Sequence, residues 1–181
     1  MHLPELKETI AIPQGVTAAA EGATIVIKGP KGELRRAVGS KAVVLSVEGN
    51  HVVLRAKSAT KNEKRTLNTN AAHIRNMLRG AKDGHVYKLK ICSGHFPMSV
   101  TLKGDHFEVK NFIGEAVPRT LKIKQGVKVT IAGADITVEG ANKELVGNQA
   151  AAIELLTRRP GFDTRVFQDG IYITEKDSKK V

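Results

Sequence analysis

Tryptophan is absent from this 181-residue chain, and five Phe and two Tyr make up its whole aromatic complement. Proteins that read single-stranded nucleic acid stack bases on exposed aromatic platforms, and seven rings leave few for that once a core is filled. A single cysteine, Cys92, excludes an intrachain disulfide and a cysteine zinc cluster. No apolar run approaches the ~18 residues of a membrane span. The first residues, Met1, His2, Leu3, Pro4 and Glu5, show no signal-peptide hydrophobic region, so a cytoplasmic setting without membrane association is expected.

Acidic residues are also in short supply. Against 18 Asp and Glu stand 29 Lys and Arg, a net charge of +11, and 41% hydrophobic residues are enough to build a core. Residues 1–82 carry net +8 and residues 83–181 net +3; within 55–82, eight cations face Glu63 alone. An excess of this kind is a footprint for phosphate. Nucleic acid fits better than a membrane face, because the helical segments have small, Ala-rich faces in place of bulky apolar ones. With so few aromatics, backbone contact to structured, double-helical nucleic acid is the expected mode.

The chain reads as one module written twice. Alternating segments at 24–28, 33–38, 43–48 and 51–56 predict strands, with turns at Gly29-Pro30-Lys31-Gly32 and Gly49-Asn50. A polar basic loop over 57–65 follows, then a helix whose apolar face is Leu67, Ala71, Ile74 and Leu78, stopped at Gly80. About 82 residues on, the pattern restarts: Lys28, Gly32 and Glu33 correspond to Lys110, Gly114 and Glu115. Second-half strands fall at 99–103, 107–111, 117–122, 127–132 and 135–139, followed by a helix over 143–158 with Asn142 as N-cap and Pro160-Gly161 as stop. Gln149-Ala150-Ala151-Ala152-Ile153 lines up with Asn70-Ala71-Ala72-His73-Ile74, and each helix leads through an Asp-Gly pair to a Tyr-bearing strand. Shared order points to duplication. The expected fold is α+β: two tandem similar domains, 1–82 and 83–181, each an antiparallel sheet packed against one helix. Residues 1–20 and the tail after Lys176 are expected to be peripheral.

Catalytic chemistry finds no footing. Cys92 and His95 are three apart at a strand end with no third group to orient them, and Cys92 reads as a small buried residue on the strand 86–92. The six His fall in no metal-ligand spacing and read as solvated or RNA-facing. Gly29-Pro30-Lys31-Gly32 lacks Walker spacing and precedes a strand, so it is a hairpin turn. No enzyme, cofactor or metal site is expected.

Three places stand out as contact surface. Lys57, Lys61, Lys64 and Arg65 lead into the first helix, where Arg75 and Arg79 lie one turn apart and either grip successive phosphates or serve as ordinary solvated charge. At the second helix start, Lys143, Gly147, Asn148 and Gln149 cluster. Glycine inside a helix costs about 1 kcal/mol relative to Ala, so Gly147 calls for a reason, either close approach of another backbone or tight packing on the sheet. Arg158 and Arg159 before a Pro-Gly corner, with Arg165 following, form the third.

The run Arg165-Val166-Phe167-Gln168-Asp169-Gly170-Ile171-Tyr172-Ile173, with Glu144-Leu145-Val146-Gly147-Asn148-Gln149-Ala150-Ala151 before it, resembles the C-terminal signature of the large-subunit ribosomal protein six family in its archaeal and eukaryotic form. The resemblance covers essentially the whole chain, including Lys28-Gly29-Pro30-Lys31-Gly32 and Thr101-Leu102-Lys103-Gly104, and is nearest the archaeal type, since no long charged extension follows. It implies two similar α+β domains, no catalytic activity, and binding to large-subunit ribosomal RNA near the sarcin-ricin loop and stalk base. Neighbouring large-subunit and stalk-base ribosomal proteins would adjoin it, with translation-factor GTPases docking nearby. By resemblance the RNA contacts are Lys143, Gly147, Asn148, Gln149, Arg158, Arg159 and Arg165. The first-half patch of Lys57, Lys61, Lys64, Arg65, Arg75 and Arg79 is a secondary contact for RNA or protein. An architectural nucleic-acid-binding protein outside the ribosome is the alternative.

Overall fold

In the computed structural model, which describes residues 3–38, 43–163 and 165–180, the first half forms two three-stranded antiparallel sheets and a helix. β1 (Leu3–Ala11) and β2 (Thr17–Glu21) precede β3 (Thr24–Gly29), β4 (Gly32–Ala37), β5 (Val43–Glu48) and β6 (His51–Ala59). The sheet orders are β1-β6-β5 and β2-β3-β4. Residues 3–20 are therefore not peripheral, while Met1 and His2 lie outside the described residues: β1 pairs with β6 over its length, and Ile10, Ile12 and Val16 are core residues. Charged residues crowd β1, so its alternation is faint, but its hydrogen bonds are supplied by β6.

Helix α1 (Lys61–Lys82) buries the face read from the sequence, Leu67, Ala71, Ile74 and Leu78, against Ile25, Ile27 and Leu54. Fully burying a Leu or Ile side chain stabilises by about 1.5–3 kcal/mol, the Ala71 methyl by less. Thr60 caps it in a capping box with Glu63, the Thr60 amide donating to Glu63 Oε2 at 2.9 Å. The stretch 57–65 is thus no loop: β6 runs to Ala59 and the helix takes up Lys61, Lys64 and Arg65. Nor does Gly80 end α1, which continues to Lys82. Its stop is Asp83-Gly84, where the Gly84 amide reaches Gly80 O at 3.1 Å with Gly84 at φ +82°.

The second half repeats this plan. β7 (His85–Cys92), β8 (Ser99–Lys103), β9 (His106–Lys110), β10 (Arg119–Lys122), β11 (Val127–Ala132), β12 (Asp135–Gly140) and α2 (Lys143–Leu156) follow in order, then β13 (Gly170–Lys176) and β14 (Lys179–Lys180). One sheet is β11-β12-β7-β13-β14, the other β10-β9-β8. The fold class is α+β with an internal duplication, though each copy has two sheets where one was expected. The chain divides into two compact units, Met1–Gly84 and His85–Val181. One difference between the copies is in sheet size: β13 and β14 extend the sheet beside β7, giving the second unit a five-stranded sheet where the first has three strands.

The tail is tied down at Asp177, whose amide donates to Val86 O at 2.9 Å and whose carboxylate bonds Nδ1 of the fully buried His85 at 2.8 Å. His85 is accordingly not a solvated histidine, and the segment after Lys176 belongs to the fold. Cys92, expected to be buried, is half-buried at the end of β7.

Candidate functional site

Helix α2 sets the geometry of the second unit's surface. Asn142 caps it, accepting from the Glu144 amide at 2.9 Å, and Val146, Ala150 and Ile153 pack on the sheet. Gln149 turns inward: it is fully buried, and its Oε1 accepts from the Lys124 amide at 3.2 Å. The structure thus removes Gln149 from the expected contact set, because an amide at that helical position faces the β10–β11 connection instead of solvent. Gly147 lies against Tyr87, where an added Cβ would stand 3.4 Å from the hydroxyl, an ordinary contact distance. Asn148 is exposed, and Lys143 holds its Nζ 3.9 Å from Asp177.

At the other end, α2 stops at Leu156, two residues before the expected end, so Arg158 and Arg159 belong to the connection over 157–169. About 21 Å of helix separates this end from Lys143, at 1.5 Å per residue. One phosphate cannot meet both ends. Arg119, from β10, fixes the exit: its Nη1 donates to the carbonyls of Leu156 at 2.6 Å and Arg158 at 3.3 Å, while Nε and Nη2 grip Glu115 at 2.7 and 2.6 Å. These bonds hold the Glu115 carboxyl below its ordinary range against a smaller effect of burial. With its carbonyl held, Arg158 sends an exposed side chain to solvent, making no ion pair among the described residues. The Arg159 guanidinium lies 4.3 Å above the Phe162 ring, and Phe162 meets Phe167 edge-on at 4.8 Å.

Arg165 is 89% exposed and paired with Asp163 at 2.8 Å. Hydrogen bonds from the Arg165 side chain and amide keep the Asp163 carboxyl low. Such an exposed pair is weak and exchangeable, so a phosphate can take the carboxylate's place. Behind the connection, Asp169 is buried and accepts from the amides of Gly94 and His95 and from the His95 ring. Burial works against ionisation here, but those three donors outweigh it and the carboxyl titrates below the usual aspartate range.

In the first unit, Lys61, Arg65, Arg75, Arg79 and Lys82 share the solvent face of α1, while Lys64 is exposed beside them and Lys57 is exposed on β6. Arg75 bridges to Glu8 of β1. Cations in a helix's first turn oppose its dipole, so Lys61 and Lys64 have no local electrostatic reason to be there. Arg79 and Lys82, in the last turn, do have one. Among the described residues no group of His, Cys, Asp and Glu is arranged to hold a metal, and no helix is long and apolar enough to cross a membrane.

Two stretches of this chain, residues 12–84 and 96–170, each match the family described as Ribosomal protein L6. The chain belongs to the ribosomal protein L6 family. One matched stretch lies within each structural unit. L6-family relatives named "Large ribosomal subunit protein uL6" are 41% identical over 174 residues in Methanococcus vannielii and 42% over 178 in Saccharolobus solfataricus. A third, from Ignicoccus hospitalis, is 43% identical over 173 residues. These cover 96%, 98% and 93% of this chain and the same shares of the relatives. Membership of the L6 family makes the chain a structural ribosomal protein and not an enzyme.

The sequence reading overlooked Arg119, which acts on the carbonyls that position Arg158, and the grouping of Phe162, Phe167 and Tyr172 beside the arginines. The signal for the second was present: three of seven aromatics fall within 162–172, interleaved with Arg159 and Arg165.

Proposed function

We propose that this L6-family chain is a constituent of the large ribosomal subunit that binds large-subunit ribosomal RNA through the second unit, near the sarcin-ricin loop and the stalk base. In this reading it stiffens the region where translation-factor GTPases dock and adjoins neighbouring large-subunit and stalk-base proteins. The carrying observation is the exit of α2, where Arg119 fixes the backbone so that Arg158 projects freely from the connection that also carries Arg159 and Arg165. Guanidinium groups on a fixed backbone suit bidentate phosphate contact. Lys143, Gly147 and Asn148 form the second point of contact one helix length away, a spacing that a double-helical RNA segment can bridge. Such RNA is recognised by shape and by 2′-hydroxyls, since its deep groove is closed to side chains. The cationic face of α1, with Lys57, is a secondary surface for another RNA segment. The test is the double variant Arg158→Glu, Arg159→Glu. It should fold normally by circular dichroism and fail to enter large subunits in reconstitution; ordinary incorporation at moderate salt would refute the assignment.

A further inference from the structure

The scarcity of aromatic residues argued against base stacking, yet the few present are not scattered. Phe112, Phe162, Phe167 and Tyr172, four of the seven, line one cleft of about 540 Å³ in the second unit, together with Arg158 and Arg159. We infer that this cleft holds a single unpaired nucleobase of the bound RNA, stacked on its aromatic walls while the flanking phosphates rest on Arg158, Arg159 and Arg165. The inference rests on the RNA-binding reading above and adds to it a site for one extruded nucleotide.

The size suits such an occupant, since 300–1,000 Å³ is the usual range for sites that enclose a small molecule. The surfaces suit it too. Phe112 is buried and serves as floor; Phe162 is half-buried with the Arg159 guanidinium over its ring; Tyr172 is 38% exposed. Aromatic rings and guanidinium planes are the groups on which splayed-out RNA bases stack. Tyr172 lies against Gly170, where a Cβ would come within 3.2 Å of its hydroxyl, so the missing side chain gives the ring its place.

The acidic and hydroxyl side chains of Asp169, Thr157 and Glu154 in the wall are already engaged. Asp169 is held by Gly94 and His95; Thr157 Oγ1 accepts from the Ile171 amide at 2.9 Å and donates to Glu154 O at 3.1 Å; Glu154 Oε1 accepts from the Ile173 amide at 3.3 Å. The Tyr172 hydroxyl, like the Arg158 and Arg159 guanidinium groups, has no hydrogen-bond partner among the described residues. Burial raises its pKa, so it keeps its proton and can donate to a base edge. Stacking with one donor reads the presence of a base more than its identity. Charge selects the occupant: three arginines at the cleft and its connection favour an anionic polymer over an apolar peptide segment.

The experiment footprints the full chain on in vitro transcribed large-subunit ribosomal RNA. Hydroxyl radicals report the backbone, and dimethyl sulfate with carbodiimide reports the base edges. The wild type should protect at least one unpaired base inside its backbone footprint. Phe162→Leu and Tyr172→Leu keep apolar bulk but remove the ring face; each should lose that base protection, keep the backbone footprint, and bind roughly five- to a hundredfold more weakly. Phe162→Trp should restore protection, which separates stacking from a folding defect. An unchanged base pattern in both leucine variants, or no protected unpaired base within a normal backbone footprint, overturns the inference while leaving RNA binding intact. Absence of any backbone footprint refutes the RNA-binding reading itself. If the leucine variants leave the RNA pattern untouched but abolish crosslinking to a neighbouring protein in assembled subunits, the occupant is a protein segment and the base assignment is wrong.

Discussion

Asp169 accepts two hydrogen bonds from His95, one from its amide at 3.0 Å and one from its ring Nδ1. An ionised carboxylate is an acceptor only, so Nδ1 carries the donated proton, on a side chain 47% exposed. Through this pair the residues between β7 and β8 are fastened to the connection that carries the arginines.

Acid should loosen this fastening. The folded-state pKa of Asp169 lies below the unfolded value of about 3.9. The stability it contributes is therefore complete above that value and disappears as pH falls through the lower folded pKa. Asp169→Asn should lose about 1.5–3 kcal/mol at neutral pH, the size of hydrogen bonds to a charged group. Urea denaturation should show the gap between variant and wild type closing below about pH 4; a constant gap would mean that the ionised form is not what matters.

Two glycines should respond in opposite ways. At Gly29 a Cβ would lie 2.4 Å from Ala81 O, a backbone atom that also accepts from the Lys31 amide at 3.0 Å, so Gly29→Ala should destabilise by about 1–3 kcal/mol or more. At Gly147 the added atom would make only an ordinary contact with Tyr87, and helix propensity favours alanine by up to about 1 kcal/mol. Gly147→Ala should therefore leave the isolated protein as stable or more so, and should weaken RNA binding. Unchanged RNA affinity would remove Gly147 from the contact surface.

Arg119→Lys keeps the charge and loses the fork. Four bonds to Glu115, Leu156 and Arg158 cannot be reproduced by an ammonium group. We expect a stability loss of about 1–3 kcal/mol in thermal unfolding, together with weaker RNA binding. Loss of stability with full RNA affinity would show that the α2 exit need not be held for contact.

Salt should separate direct phosphate contacts from supporting residues. Each phosphate neutralised contributes about −0.9 to the log-log slope of affinity against salt on a duplex. Arg158→Ala and Arg165→Ala should each make that slope shallower by about one, while Arg119→Lys should lower affinity at constant slope. Identical slopes for all three variants would contradict the division of roles.

Local patterning made the duplication and most strands legible, because alternation, turn glycines and the 3.6-residue spacing of Leu67, Ala71, Ile74 and Leu78 are properties of short stretches. What depended on distant partners was not. β1 looks polar in isolation and is a strand because β6 completes its hydrogen bonds; His85 looks like one more surface histidine and is buried because Asp177 returns to it. Of the candidate contacts, Arg158, Asn148 and Arg165 are exposed as polar residues commonly are. Gln149 is not, since its orientation was fixed by the Lys124 amide, 25 residues away. The aromatic cleft was illegible for the same reason: Phe112, between β9 and β10, and Tyr172, on β13, come to line one cleft only in the folded unit.

The two copies leave their helices differently. After α1 only Asp83 and Gly84 intervene before the next strand, whereas after α2 the chain runs through residues 157–169 before β13 begins. Arg158, Arg159 and Arg165, the edge-on pair Phe162 and Phe167, and Asp169 lie in that longer passage. The longer passage is anchored at both ends by buried groups, Thr157 accepting from the Ile171 amide and Asp169 from Gly94 and His95, so its middle, with the arginines, is held out from a fixed frame. The first unit, which ends at Gly84 with no such passage, shows that the shared fold closes without it, so the passage adds surface and not core.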